Sequence, residues 1–271
     1  MLDKTILVTG STDGIGKETA RQLAQLGALV IVHGRHVDRC EAARDDIRAA
    51  TGNPRVDFVT ADLASQRQVR QMAAEISARY SRLHVLINNA GVILRQRQLS
   101  EDGIELSFAV NHLAPFLLTN LLLDRLKQSA PARIVNVSST VHYDAPLKFD
   151  NLQGERKYNG VEVYKVAKLG NVIFTYELAD RLKGSGVTVN CLHPGVVATK
   201  LLDAGWGWSN GLTSAQGAAL SVYLATSSEV EHVSGQYFES RSAGGASPKA
   251  TDVKLRRKLW DISAQLVGLN G

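Results

Sequence analysis

Tyr164 and Lys168 stand four residues apart in the apolar stretch Val163-Tyr164-Lys165-Val166-Ala167-Lys168-Leu169. On a helix that spacing puts both side chains on one face, about a turn from each other. A free phenol ionises near pH 10, too high for a base near neutrality, and a neighbouring ammonium lowers it by favouring the phenolate. Such a pair is suited to taking the hydroxyl proton from an alcohol whose carbon gives up a hydride, or to delivering one to a carbonyl under reduction. The chain's 7 tyrosines and its lysines make roughly 0.3 such pairs by accident, so spacing alone does not separate this reading from a plain surface pair.

A second motif lies near the start: Thr9-Gly10-Ser11-Thr12-Asp13-Gly14-Ile15-Gly16, after an apolar run and before Ile15, Ala20, Leu23 and Ala24 at helical spacing. Glycines allow a tight turn and close approach of backbone to a pyrophosphate, and a helix N-terminus offers free N–H groups and partial positive charge. A bare strand-to-helix turn is the other reading. Competing chemistries find less support. The histidines form no HExxH, the 2 cysteines lie in no CxxC, and Ser139 is in no GxSxG elbow, so neither a metal site nor a hydrolase is expected.

The elements that must position these residues alternate along the chain. Short β-rich runs are expected at 5–9, 28–32, 56–60, 85–88, 133–137, 187–192 and 236–238. Helical patterns fill the intervals at about 14–26, 38–50, 65–80, 105–127, 163–183, 214–225 and 252–266. This order predicts right-handed βαβ crossovers and an α/β doubly wound (Rossmann) parallel sheet of about seven strands with helices on both faces. Ligands of such sheets gather outside the carboxyl ends of the strands, where both motifs fall.

The glycine spacing resembles the TGxxxGxG form of the short-chain dehydrogenase/reductase family. The likeness extends over Asn88-Asn89-Ala90-Gly91, Asn111, Ser139, Tyr164 with Lys168, and Pro194-Gly195, in the family's order from Thr9 to Thr199. It implies that Gly10, Ser11, Thr12, Asp13, Gly14, Ile15 and Gly16 cradle a dinucleotide, that Asp62 and Leu63 contact adenine, and that Asn88, Ala90 and Gly91 lie along ribose. Pro194, Gly195, Val197 and Thr199 would meet the nicotinamide, and Lys168 its ribose. Ser139 would hold the substrate oxygen against Tyr164, with Ser138 as competitor. Asn111 resembles the family's asparagine that holds a proton-relay water near the lysine, and a buried asparagine at a helix bend is its alternative.

The segment His33-Gly34-Arg35-His36 after the second strand has no acid before Asp38. A cation there suits a 2′-phosphate, so Arg35 favours NADP(H), with NAD(H) as the alternative and a solvated loop arginine as the other reading of Arg35. Lys17 reads more simply as an exposed helix lysine.

The formal charge of +5 contains no long basic block, and no nucleic-acid partner is expected. The cluster Lys254-Leu255-Arg256-Arg257-Lys258 is read as a solvated helix face, with an acidic partner or membrane surface as the alternative. No targeting segment or membrane span is apparent, so a cytoplasmic, membrane-free enzyme of one domain over 1–271 is expected. The 24 residues between Ser139 and Tyr164, together with Val110-Asn111-His112-Leu113-Ala114-Pro115, are similar to the retinol-dehydrogenase-like branch. A lid at about 196–214 carries Leu201, Leu202, Trp206 and Trp208, placed either against an apolar carbonyl or alcohol substrate or against the body. By the resemblance, a homo-oligomer through the helices from Glu105 and Val163 is expected, and a non-catalytic dinucleotide-binding sensor remains the alternative function.

Overall fold

The computed structural model describes residues 1–269. Eight strands form one sheet in the order β3-β2-β1-β4-β5-β6-β7-β8. They are β1 (Thr5–Val8), β2 (Leu29–Gly34), β3 (Val56–Thr60), β4 (Val85–Asn88), β5 (Ala132–Val137), β6 (Val187–Leu192), β7 (Gln236–Phe238) and β8 (Ala243–Gly244). The first seven pair in parallel, and β8 is an antiparallel two-residue strand beside β7. It is the one strand beyond the seven expected. Two exposed residues leave no period-2 pattern to read.

Among the described residues the α-helices are α1 (Gly14–Gln25), α2 (Val37–Thr51), α3 (Gln66–Arg79), α4 (Leu106–Phe108), α5 (Ala114–Gln128), α6 (Gly160–Arg181), α7 (Lys200–Trp206), α8 (Ser214–Thr226), α9 (Pro248–Thr251) and α10 (Val253–Leu266). Strand alternation splits the core in two. Leu7 and Ile31 face one cluster, with α3, α5 and α6, while Ile6, Val8, Val30 and Val32 face the other, with α1 and α8. Both faces are buried, so the strands read as continuous apolar runs.

The long helix expected from Glu105 is interrupted. Between α4 and α5, Ala109–Leu113 forms a π-turn. Pro115 explains part of this, because an α-helix would need its missing N–H for the carbonyl of Asn111. The stretch Leu106–Gln128 is long and apolar enough to cross a membrane, with mean hydropathy 1.5, but 78% of that window is buried within the fold.

At the other end, α10 lies across α5 and α6. Trp260 packs edge-on against Phe116 at 4.9 Å and beside Phe174 at 5.8 Å, and the Arg181 guanidinium stacks on its ring at 4.0 Å. Here the solvated-face reading of 254–258 needs correcting. Arg256 is only 8% exposed and pairs with Asp180 at 2.8 Å, because the apolar stripe of α10 brings that position down onto α6.

Candidate active site

A cleft of about 760 Å³ runs along the carboxyl ends of the strands, from Arg35 and Asp62 at one end to Ser139 and Tyr164 at the other. Its floor begins in the turn between β1 and α1. Gly10 and Gly14 have φ of 63° and 55°, which a side chain rarely tolerates. A Cβ on Gly10 would lie 2.8 Å from Ala90 Cα, and one on Gly16 would collide with the Gly10 carbonyl oxygen and the Asn89 amide. The turn is thus packed directly against the loop after β4. His33, wholly buried with its pKa driven down to about 4 by desolvation, accepts the Gly10 N–H at 3.0 Å and fixes the turn from behind.

The arrangement fits a dinucleotide. Small residues line the floor of the cleft, and the first turn of α1, which borders it, leaves N–H groups without intrahelical partners. Thr12, Asp13, Ile15, Ala90, Gly91, Leu63, Pro194, Gly195, Val197 and Thr199 also line this cleft. Asp13 accepts the Gly14 N–H at 2.8 Å and pairs with Lys200 at 2.6 Å, so the glycine turn is tied to the start of α7. That lysine holds the Asp13 carboxyl below the usual carboxylate range.

Two sequence expectations need correcting. Ser11 and Asn88 do not line the cleft. Ser11 Oγ donates to the Val8 carbonyl at 2.7 Å and accepts the His33 N–H at 2.9 Å, clipping β1 to β2. Asn88 donates to Thr119 at 3.0 Å and to Asn136 at 2.8 Å inside the core. The next residue, Asn89, reaches the cleft in its place. Lys17 faces Asp46 at 2.7 Å rather than a phosphate.

Arg35 follows the end of β2, exposed beside the cleft, and Arg39 lines the same end from the first turn of α2. Arg39, four residues after Arg35, was not among the residues expected at this site.

At the other end, α6 presents Tyr164 and Lys168, 5% and 3% exposed. Asn159 starts this helix by accepting the N–H groups of Val161 and Glu162, at 3.0 and 3.2 Å. Lys168 Nζ lies 5.4 Å from the centre of the Tyr164 ring and donates to the Val137 carbonyl at 2.9 Å. Desolvation brings the Lys168 ammonium down to about 8 and pushes the Tyr164 phenol up. The phenol thus shifts opposite to the direction expected from its ammonium neighbour alone. At this depth the cost of burying a phenolate exceeds the pull of the ammonium.

Ser139 sits on the cleft wall, where it caps a short 3-10 turn, Thr140–His142. Ser138 is 2% exposed and its hydroxyl donates to the Lys168 carbonyl at 2.8 Å, which commits it to the packing of α6 on β5. Asn111 is wholly buried in the π-turn and does not line the cleft. Its side chain bonds both backbone groups of Val92 at 2.7 Å, so it braces the loop after β4. Its Oδ1 lies 3.4 Å, and Lys168 Nζ 3.6 Å, from where a Cβ on Gly91 would sit, so the two groups approach the same spot.

The roof is α7 with its flanks. Trp206 meets the Tyr164 ring edge-on at 5.9 Å, and Leu201, Leu202 and Trp208 line the same wall. His193 lines the cleft as well, and its buried Nδ1 has no partner among the described residues. No group of three or more His, Cys, Asp or Glu able to hold a metal occurs among the described residues.

Comparison with known proteins agrees with this geometry. The family model for short chain dehydrogenase matches residues 4–208. The chain is 46% identical to human retinol dehydrogenase 13, over 98% of this chain and 85% of that protein. It is 44% identical to human retinol dehydrogenase 11, over 98% and 86%. A crystal structure of an uncharacterized protein from Mycobacterium paratuberculosis superposes with a TM-score of 0.82 at 32% identity, over 98% of this chain and 94% of that one. A short chain dehydrogenase from Escherichia coli CFT073, complexed with NADPH, gives 0.73 at 26% identity over 88% and 97%. The chain belongs to the short chain dehydrogenase family, oxidoreductases that work between alcohol and carbonyl.

Proposed function

We propose that this chain is an NADP(H)-dependent oxidoreductase acting on a lipophilic carbonyl or alcohol. The observation that carries the reading is the convergence, in one cleft, of the glycine turn, the Arg35 and Arg39 cations, and the Tyr164–Lys168 pair. The two cations suit a 2′-phosphate, and the E. coli relative is complexed with NADPH. Leu201, Leu202, Trp206 and Trp208 give the substrate end an apolar wall, and the similar human proteins are named for retinol, an apolar alcohol.

When bound, the nicotinamide supplies or accepts the hydride. Tyr164 gives its phenolic proton to the carbonyl oxygen as charge develops there, and Ser139 Oγ–H donates a second hydrogen bond to the same oxygen. Burial keeps the phenol protonated at neutral pH, which is the form that reduction begins from. The Lys168 ammonium stabilises the phenolate left behind, and Trp206 over the Tyr164 ring excludes water.

The test is oxidation of NADPH against a panel of aliphatic, aromatic and charged carbonyls. Apolar aldehydes or ketones should turn over fastest. Tyr164→Phe should lose turnover by roughly 10²–10⁴-fold while NADPH still binds. Binding without any turnover in the wild type would instead favour a dinucleotide sensor.

A further inference from the structure

His142 lies outside the cleft, wholly buried, in the 3-10 turn that follows Ser139. Its ring Nδ1 is 2.8 Å from the Ser139 carbonyl oxygen, and the Ser247 backbone N–H approaches Nε2 at 3.1 Å. These neighbours fix the tautomer. A carbonyl only accepts, so Nδ1 carries the proton, and an amide N–H only donates, so Nε2 offers its lone pair. A protonated ring would set two N–H groups against each other at Ser247. The backbone N–H of His142 also donates to the Ser139 carbonyl, at 3.1 Å, so one residue supplies both of that oxygen's partners.

The same junction is reinforced around the ring. Tyr237 packs against His142 at 4.6 Å, and Tyr143 stacks beside it at 4.1 Å. The Tyr143 hydroxyl lies 2.7 Å from Glu239 and 2.6 Å from the Gly245 carbonyl. Lys249 donates to the Ala145 carbonyl at 2.5 Å. Residues 140–145 are therefore clamped to 237–249, the segment around β8 and α9. Among the described residues the Ser139 hydroxyl has one weak bond, the Val141 N–H at 3.5 Å, so its side chain is aimed by its backbone.

We propose that His142, as the neutral Nδ1–H tautomer, is a positioning residue that aims Ser139 Oγ into the cleft and couples it to the segment at Ser247. The role rests on the reading of Ser139 and Tyr164 given above. His142 does not line the cleft and acts only through the backbone of its neighbour.

Two measurements test it. Nitrogen-15 NMR of the ring, with the His142 signals assigned by their loss in His142→Asn, should show a protonated Nδ1 and a bare Nε2. The reverse tautomer would overturn the proposal whether or not the protein has activity. In turnover, His142→Leu should lower kcat about tenfold, one hydrogen bond's worth, with KM for the dinucleotide unchanged. His142→Asn, whose amide can still donate to the Ser139 carbonyl, should recover most of it. In a Ser139→Ala background His142→Leu should have almost no further effect on kcat. Multiplicative losses in that background, or an unchanged kcat in the single variant, would make His142 structural only. If His142→Leu does not fold, the tautomer and the asparagine variant still decide. A wild type without turnover would remove the catalytic reading of the site, and with it this role, while the tautomer result would stand.

Discussion

Replacing Arg35 and Arg39 by alanine isolates the 2′-phosphate. Arg35 follows the end of β2 and Arg39 stands in the first turn of α2, both exposed at the Asp62 end of the cleft. A guanidinium bound to phosphate through charge-assisted hydrogen bonds, at a site open to water, is worth about tenfold in affinity. The two cations would share one phosphate, so their losses should not multiply fully, and the double variant should weaken NADPH by about 20–100-fold. NADH has no phosphate at that position and should bind the double variant as it binds the wild type. Fluorescence titration with both dinucleotides, at low and high salt, reads the difference, and the wild-type preference should narrow as salt screens the exposed charges. Equal losses for NADPH and NADH, or an unchanged NADPH affinity, would refute the assignment of this end of the cleft to the phosphate.

Relative to Lys168→Met, the wild type should gain about 3 kcal/mol of stability between about pH 8 and pH 10.5, because the buried ammonium, with a pKa of about 8 against 10.5 unfolded, carries a desolvation cost wherever it is charged. Between those values the unfolded chain binds the extra proton, so wild-type stability gains on the variant as pH rises. Denaturant melts of the pair at several pH values check this, and a gap independent of pH would contradict it. The two buried thiols, Cys40 at about 11 and Cys191 at about 12, act the other way in both proteins and cancel in the difference. Gly16→Ala drives a methyl into the Gly10 carbonyl, a backbone atom, and should cost about 3 kcal/mol, or about 10 °C in Tm. Gly14→Ala meets nothing nearer than Thr199 Cγ2 at 3.8 Å and should cost only about 1 kcal/mol for its positive φ, so comparable melting of the two would undo the packing argument.

The parts of this site that share one periodicity were legible in the sequence. Tyr164 and Lys168 follow the helical repeat, and the glycine turn sits between a readable strand and a readable helix. What escaped depends on partners distant along the chain. Asn88 belongs to the motif that lines the cleft, yet its side chain turns to Thr119 and Asn136. Ser11 is consumed by β2. The bracing of Val92 by Asn111 required the π-turn, which no apolar spacing announces. Arg256 looked solvated because nothing local signals Asp180 one helix away. The direction of the Tyr164 shift was missed because burial depth is a property of the assembled fold.

The packing of α10 also bears on the order in which the molecule is finished during synthesis. A growing chain leaves the ribosome N-terminus first, so the glycine turn, β5 and all of α6 emerge before residue 253 is made. Until then Phe174 and Phe116 lack the indole that covers them, and Asp180 lacks its guanidinium. The nascent protein thus carries Tyr164 and Lys168 on a helix whose outer side is still wet, and that side dries only when α10 arrives.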